Sequence, residues 1–162
     1  CAKGLTSGYV PMGACLISDR IFSEISGEQS QDSYFSNGYT YSGHPVAAAA
    51  GLATLEVYEQ EGSFEQSREL ETMFAQAIHQ FDDHPLVIDV RNFGLMGAIE
   101  LAPREGAPGA RGLEAHKHCF WDEDLVIRNG MDILQFSPFL NSKPEDIETM
   151  FDAVRRVLDS LS

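Results

Sequence analysis

The segment Cys1-Ala-Lys-Gly-Leu-Thr-Ser-Gly-Tyr-Val-Pro-Met-Gly-Ala14 sets one lysine, Lys3, in a loop of small residues. A Pro-Met-Gly turn then leads into an apolar run, Ala14 to Ile17, that reads as a short buried strand. An amine placed there can be neutralised by desolvation and by a nearby cation or cofactor, the condition for a lysine that bonds a carbonyl carbon. On position alone the solvated reading prevails, because most loop lysines are simply hydrated charges.

Working outward, Ser18 is a suitable N-cap for a short helix to about Ile25, and the polar run from Ser26 to Asn37 reads as a loop. The stretch Ser36-Asn-Gly-Tyr-Thr-Tyr-Ser-Gly-His-Pro45 brings hydroxyls and glycines up to a helix N-terminus, the parts of a phosphate cradle. The Walker A pattern is absent, and an ordinary polar turn before a helix has the same composition. Pro45 suits a first helical turn, and the Ala-rich sequence after it predicts a closely packed helix closing near Gly62. Ser63 to Gln66 has capping-box spacing, and Leu70, Met73, Phe74, Ala77, Ile78 and Phe81 then mark a connecting helix to about Asp82.

After Pro85 the pattern changes. Leu86 to Arg91 and Met96 to Leu101 read as a hairpin, a helix follows from about Leu113 to Asp122, and Leu125 to Arg128 and Ile133 to Phe136 read as two further strands. A second capping-box spacing, Ser142 to Glu145, precedes a final helix with Ile147, Met150, Phe151, Val154, Val157 and Leu158 on one stripe. Arg128 closes an apolar strand ahead of Asn-Gly, where a guanidinium could grip a carboxylate with two hydrogen bonds or simply be a surface charge. His116 and Cys119 share a helix face, but His118 points elsewhere and no fourth ligand is near in sequence, so no metal is expected.

The 162 residues carry a net charge of -14, which argues against nucleic acid or an anionic membrane surface as partner. Three cysteines, Cys1, Cys15 and Cys119, are an odd number without C-x-x-C spacing, pointing to reduced thiols and a cytoplasmic enzyme. The longest apolar run, 46–53, is far below the roughly 18 residues of a membrane span. The opening residues lack an initiator Met and an approach segment, so the sequence is expected to be a piece of a longer chain.

Together these segments resemble one family. Cys1 to Ala14 is similar to the active-lysine segment of class III aminotransferases, and Gly38-Tyr-Thr-Tyr-Ser-Gly-His-Pro-Val-Ala-Ala-Ala-Ala-Gly51 to their phosphate-contacting segment, in the same order and separation. Asp89-Val-Arg-Asn-Phe-Gly-Leu-Met-Gly-Ala-Ile-Glu100, Val126-Ile-Arg128 and Leu134-Gln-Phe-Ser-Pro-Phe-Leu-Asn-Ser-Lys-Pro144 resemble the omega-amino-acid:pyruvate (beta-alanine:pyruvate) branch.

The resemblance implies an α/β fold, that of fold type I pyridoxal-phosphate-dependent transferases. Residues 1–82 would finish the large domain with its connecting helix, and 83–162 would form an α+β C-terminal small domain. It implies pyridoxal 5'-phosphate as cofactor, with Lys3 as the Schiff-base lysine and proton shuttle. Thr40 would bind the cofactor phosphate, commonly that of a neighbouring subunit, so a homodimer or tetramer would share its active sites. Arg128 would pair with the carboxylate of pyruvate or an amino acid. The family's ring-nitrogen Asp and its ring-stacking aromatic belong upstream of Lys3, and Asn37 stands where the family often has His. Sibling branches acting on 4-aminobutyrate, ornithine or diamines, the aminomutases, and a non-catalytic acidic packing module are the alternative readings.

Overall fold

A computed structural model describes residues 1–26 and 37–161. The expected Ser26–Asn37 loop is thus outside the described residues except at its ends, and so is Ser36. By packing, the chain divides into two compact units, Cys1–Glu61 and Gly62–Ser162.

In the first unit, Lys3–Thr6 form a 3-10 turn, followed by helices α1 (Asp19–Ser26) and α2 (Pro45–Gln60). The strand expected at Ala14–Ile17 does not form: an isolated bridge joins Ala2 to Gly13, and Leu16 and Ile17 are exposed. A strand needs a neighbour to take its N–H and C=O groups, and in this run only Ala14 finds one, its N–H donating to the Cys1 carbonyl at 2.9 Å and its carbonyl accepting from the Cys1 amino group at 2.7 Å, among the described residues. Helix α2 forms as expected, yet it is buried along one narrow line only, at Ala47 and Gly51, while Val46, Leu52, Leu55 and Val57 are exposed. The close packing expected all round this Ala-rich helix is thus seen along that line alone. The buried line carries the Lys3 turn, because Gly51 lets the backbone at Leu5 and the Met12 side chain come within about one van der Waals contact of α2.

The second unit is a four-stranded antiparallel sheet in the order β1-β2-β4-β3, with β1 Val87–Phe93, β2 Met96–Leu101, β3 Arg128–Gly130 and β4 Ile133–Phe136. Helices α3 (Ser63–His79), α4 (Ala110–Asp122) and α5 (Pro144–Ser160) complete it. Ile99 and Leu134 are register partners, so Ile99, Leu101, Leu134 and Phe136 share one face, which packs with residues of all three helices in one core. Phe151 of α5 lies at its centre, its ring 5.4 Å from Phe74, 6.0 Å from Phe81 and 5.3 Å from Phe136. Burying each such ring contributes about 1.5–3 kcal/mol.

The expected hairpin and final helix are present, with three adjustments. Helix α3, read as a connector belonging to residues 1–82, packs on β1, β2 and α5, because its apolar stripe finds its partners in the second unit. Its N-cap is Gly62 in a left-handed conformation, not Ser63, which is the buried first helical residue. Likewise Lys143 rather than Ser142 caps α5, its N–H donating to Asp146 Oδ2 at 2.8 Å.

The third adjustment concerns Arg128, which opens β3 instead of closing a strand from Leu125. The reason is that Ile127 is buried in the core and Leu125 N–H donates to the Cys119 carbonyl at 2.8 Å, so the chain joins the ladder only afterwards. What places β3 is Asp132 in the β3–β4 turn: its carboxylate accepts from Gly109 N–H at 2.5 Å and Gly112 N–H at 2.9 Å, capping α4 from a distant part of the chain. Helix and turn touch there, since a Cβ on Gly112 would run into the Met131 carbonyl and stand 2.7 Å from Asp132 Cα.

An alanine in a helix ordinarily gains about 1 kcal/mol over glycine. Gly112→Ala is expected to do the opposite, lowering stability of the full-length protein by about 1–3 kcal/mol through overpacking against backbone, read as a lower midpoint in urea unfolding. Cys119 is fully buried, and burial, with a smaller contribution from Glu123, pushes its thiol from 9.0 up to about 11. Alkylation of Cys119 in the folded protein at pH 8 is therefore expected to be far slower than after denaturation. Between pH 9 and about 11 the unfolded chain gives up this proton first, so stability falls with rising pH, and Cys119→Ala should flatten that part of the alkaline slope.

Candidate active site

Lys3 opens the 3-10 turn with φ 55, a left-handed value uncommon outside glycine. Such a conformation costs on the order of 1–3 kcal/mol and persists only where its surroundings hold it. Here Leu5 N–H donates to Ala2 O at 3.3 Å and Ser7 N–H to Gly4 O at 3.2 Å. Thr6, buried, donates its hydroxyl to Val10 O at 2.5 Å, and from α2 the Tyr58 hydroxyl donates to Gly4 O at 2.7 Å. The backbone is pinned on both sides of Lys3 while its side chain is exposed, and its amine has no hydrogen bond or ion pair among the described residues.

Thr40 lies in the turn before α2, where Ser42 N–H donates to Tyr39 O at 2.9 Å and Tyr39 N–H to Ser42 Oγ at 3.2 Å. Its hydroxyl is exposed and unpartnered among the described residues. The helix end behind it offers less than the sequence suggested. Pro45 has no N–H, and the His44 ring nitrogen Nδ1 accepts from Ala47 N–H at 3.4 Å, capping α2. A phosphate in this place would rely on Thr40 and its turn more than on the helix terminus. A cleft of about 450 Å³ does join the segment after the lysine, at Met12 and Gly13, to this turn, at Tyr39, Tyr41 and His44. No hydrogen bond links Lys3 to Thr40 among the described residues.

Arg128 belongs to the second unit, exposed at the start of β3 and lining a cleft of about 620 Å³ with Gln135, Phe139, Asp146 and Met150. Every other arginine of that unit has a partner. Arg68, Arg91, Arg104 and Arg156 hold carboxylates, while Arg111 and Arg155 donate to backbone carbonyls. Arg128 has none among the described residues, although acidic residues outnumber basic ones by 25 to 11. Arg156 holds the Glu123 carboxyl below its usual range through their hydrogen bonds. Arg91 is itself raised, chiefly by its hydrogen bonds to Asp89 and then Glu100.

Two residues important to this geometry escaped the sequence reading. Tyr58 meets Gly4 across 54 positions, with no local signal to announce it. Gln135 faces Arg128 in register around a turn at Met131 and Asp132, and the Asn129-Gly130 turn signal misleads here, because a turn centred on it would set Arg128 against Met131.

The sequence model of the class-III aminotransferases matches residues 1–158, and the chain belongs to that family. Among curated relatives it is 42% identical to beta-alanine--pyruvate aminotransferase of Pseudomonas aeruginosa over 99% of its length, and 43% identical to omega-amino acid--pyruvate aminotransferase of Pseudomonas putida over 99%. An omega-aminotransferase of Caulobacter vibrioides is 45% identical over 97% of the chain. The chain spans 36% of the length of each of these relatives.

Among solved structures, a transaminase with L-alanine superposes with a TM-score of 0.90 at 31% identity, covering 98% of this chain and 38% of that one. The omega transaminase of Pseudomonas jessenii in complex with PMP gives 0.88 at 29%, covering 97% and 36%. The expected fold class holds: this is part of a fold type I pyridoxal-phosphate transferase. Among the described residues, no helix is long and apolar enough to cross a membrane.

If Tyr58 holds the Lys3 turn, Tyr58→Phe removes one hydrogen bond of about 1 kcal/mol. Hydrogen exchange at the Ser7 and Tyr9 amides of the full-length protein should then speed up roughly fivefold. Unchanged exchange would show that α2 does not brace the turn through this hydroxyl.

Proposed function

We propose that the protein containing this chain transfers the amino group of an omega-amino acid or amine, such as beta-alanine, to pyruvate, using pyridoxal 5'-phosphate. The support is the joint occurrence of Lys3, Thr40 and Arg128, each free of a partner among the described residues, in a chain 42–45% identical to the beta-alanine and omega-amino-acid relatives. Relatives bearing other names are 30–37% identical, putrescine--pyruvate aminotransferase of Pseudomonas aeruginosa at 34% among them. A packing module would have no use for all three side chains left open.

When bound, pyridoxal phosphate supplies an aldehyde that accepts an amine and a ring that stores the electron pair released at the donor's Cα. Lys3 would hold that aldehyde through its Nζ and, as a free amine, would serve as the base that moves the proton released at the donor's Cα. The pinned turn fixes the Cα from which this side chain extends in both roles. Thr40 donates its hydroxyl to the cofactor phosphate, of a neighbouring subunit in the usual arrangement of the family, so the active unit is a homodimer or a tetramer. Arg128 pairs with the substrate carboxylate, and swings aside for donors that lack one. Residues up to the connecting helix belong in this reading to the large domain and the remainder to the small domain, with α3 packed on the latter. The enzyme is cytoplasmic.

Full-length protein purified with the cofactor should show a visible absorbance band that borohydride fixes to the Lys3 peptide and beta-alanine bleaches. Lys3→Ala should lack the band and lose at least about 10²–10⁴-fold in kcat/KM. Arg128→Ala should raise KM for pyruvate about 10- to 100-fold, the worth of a charged hydrogen-bonded pair. Wild-type protein with no band would instead support the non-catalytic packing module.

A further inference from the structure

The face of the sheet opposite the core carries a row of register partners across all four strands: Arg91 on β1, Ala98 on β2, Gln135 on β4 and Arg128 on β3. Two arginines thus stand at its ends in opposite conditions. Arg91 is saturated, holding Asp89 and, at 3.0 Å, Glu100. Those are the acidic side chains of this sheet face, and both are held by Arg91 at the edge opposite Arg128. Asp146, which lines the cleft with Arg128, is occupied through Oδ2 by the Lys143 N–H at 2.8 Å.

Between the arginines stand a methyl group and a neutral amide. Gln135 is directly opposite Arg128, where side chains of facing residues lie roughly 5 Å apart at Cβ. It lines the same cleft, is half-buried, and its amide has no hydrogen bond among the described residues. Room for it comes from Gly130, since a Cβ there would stand 3.2 Å from Gln135 Nε2. A carboxylate at this place would pair with Arg128 permanently, whereas an amide cannot neutralise a guanidinium and offers N–H donors of its own.

We propose that Gln135 is a positioning residue for carboxylate recognition: it leaves Arg128 uncommitted and donates from Nε2 to the same substrate carboxylate that Arg128 binds. This rests on the reading of Arg128 given above. It adds that selectivity for carboxylate-bearing acceptors depends on the neutrality of the residue facing the arginine.

The test is calorimetric titration of the cofactor-loaded full-length protein with propionate, a carboxylate that cannot react, beside KM and kcat for pyruvate. Gln135→Glu, nearly isosteric, is expected to weaken propionate binding about tenfold at pH 8 and raise KM for pyruvate about as much, with kcat changing far less. Gln135→Met, which keeps Arg128 free but removes the donor, should weaken binding about threefold, and it decides alone if Gln135→Glu does not fold. Wild-type affinity in Gln135→Glu, or in Gln135→Met where that variant decides, overturns the inference. Wild-type affinity in Arg128→Ala overturns the assignment of Arg128 beneath it, so the two failures are told apart.

Discussion

The capping of α4 by Asp132 is the constraint on which the second unit depends. One buried carboxylate receives the N–H groups of Gly109 and Gly112, and its own backbone carbonyl takes the Leu101 N–H at 2.8 Å. Helix α4, the β3–β4 turn and the end of β2 are thereby tied at one point. The tie works only because Gly112 has no side chain, allowing the helix to press on the Met131–Asp132 backbone. A buried carboxylate is costly unless charge-assisted hydrogen bonds compensate it, and two helix-terminal amides do so here with the favourable end of the helix dipole behind them. Since Arg128 is four residues before Asp132, on the strand this turn anchors, the same tie fixes the base from which its guanidinium extends.

Much of the second unit was legible because its signals are local. Alternation at β1 and β2, the Gly-Leu turn between them, and the stripe from Ile147 to Leu158 each repeat within a few residues, and these elements form where the pattern put them. The errors arose where a partner outside the segment decides. Ala14–Ile17 is apolar enough for a buried strand but meets no strand to pair with. Ser63 and Ser142 had the spacing of a cap, yet Gly62 and the backbone of Lys143 fill that role. The apolar stripe of α3 was correctly read, but a stripe names no partner. Its burial against β1, β2 and α5 moves the packing boundary to Gly62.

The site was legible in a different way. Spacing alone could not separate Lys3 from an ordinary surface lysine, nor Arg128 from a charge at a strand end. Their order and surroundings in the sequence, similar to those of a family, are what puts them forward as site residues. The supports around them were illegible because they are long-range: the Tyr58 hydroxyl on Gly4, and the register that sets Gln135 against Arg128. His44 is the instructive exception, being local and still misread. A helix N-terminus after a run of hydroxyls suggested free amides for an anion, while the histidine beside Pro45 uses one of them.

The three candidate groups share one condition, that among the described residues each is left without a partner. Chemistry on a side chain requires that its amine, hydroxyl or guanidinium be available, and in an acidic chain availability for a cation has to be arranged. Around Arg128 the acidic groups of the sheet face, the adjoining turn and α5 have partners of their own, Asp89 and Glu100 in Arg91, Asp146 in the Lys143 N–H and Asp132 in the α4 amides. At Lys3 the turn is fixed by main-chain bonds, Thr6 and Tyr58, while the side chain is exposed. A lysine held by its own ion pair would have to break that pair before its amine could act. One whose backbone alone is held extends from a fixed Cα with its amine available.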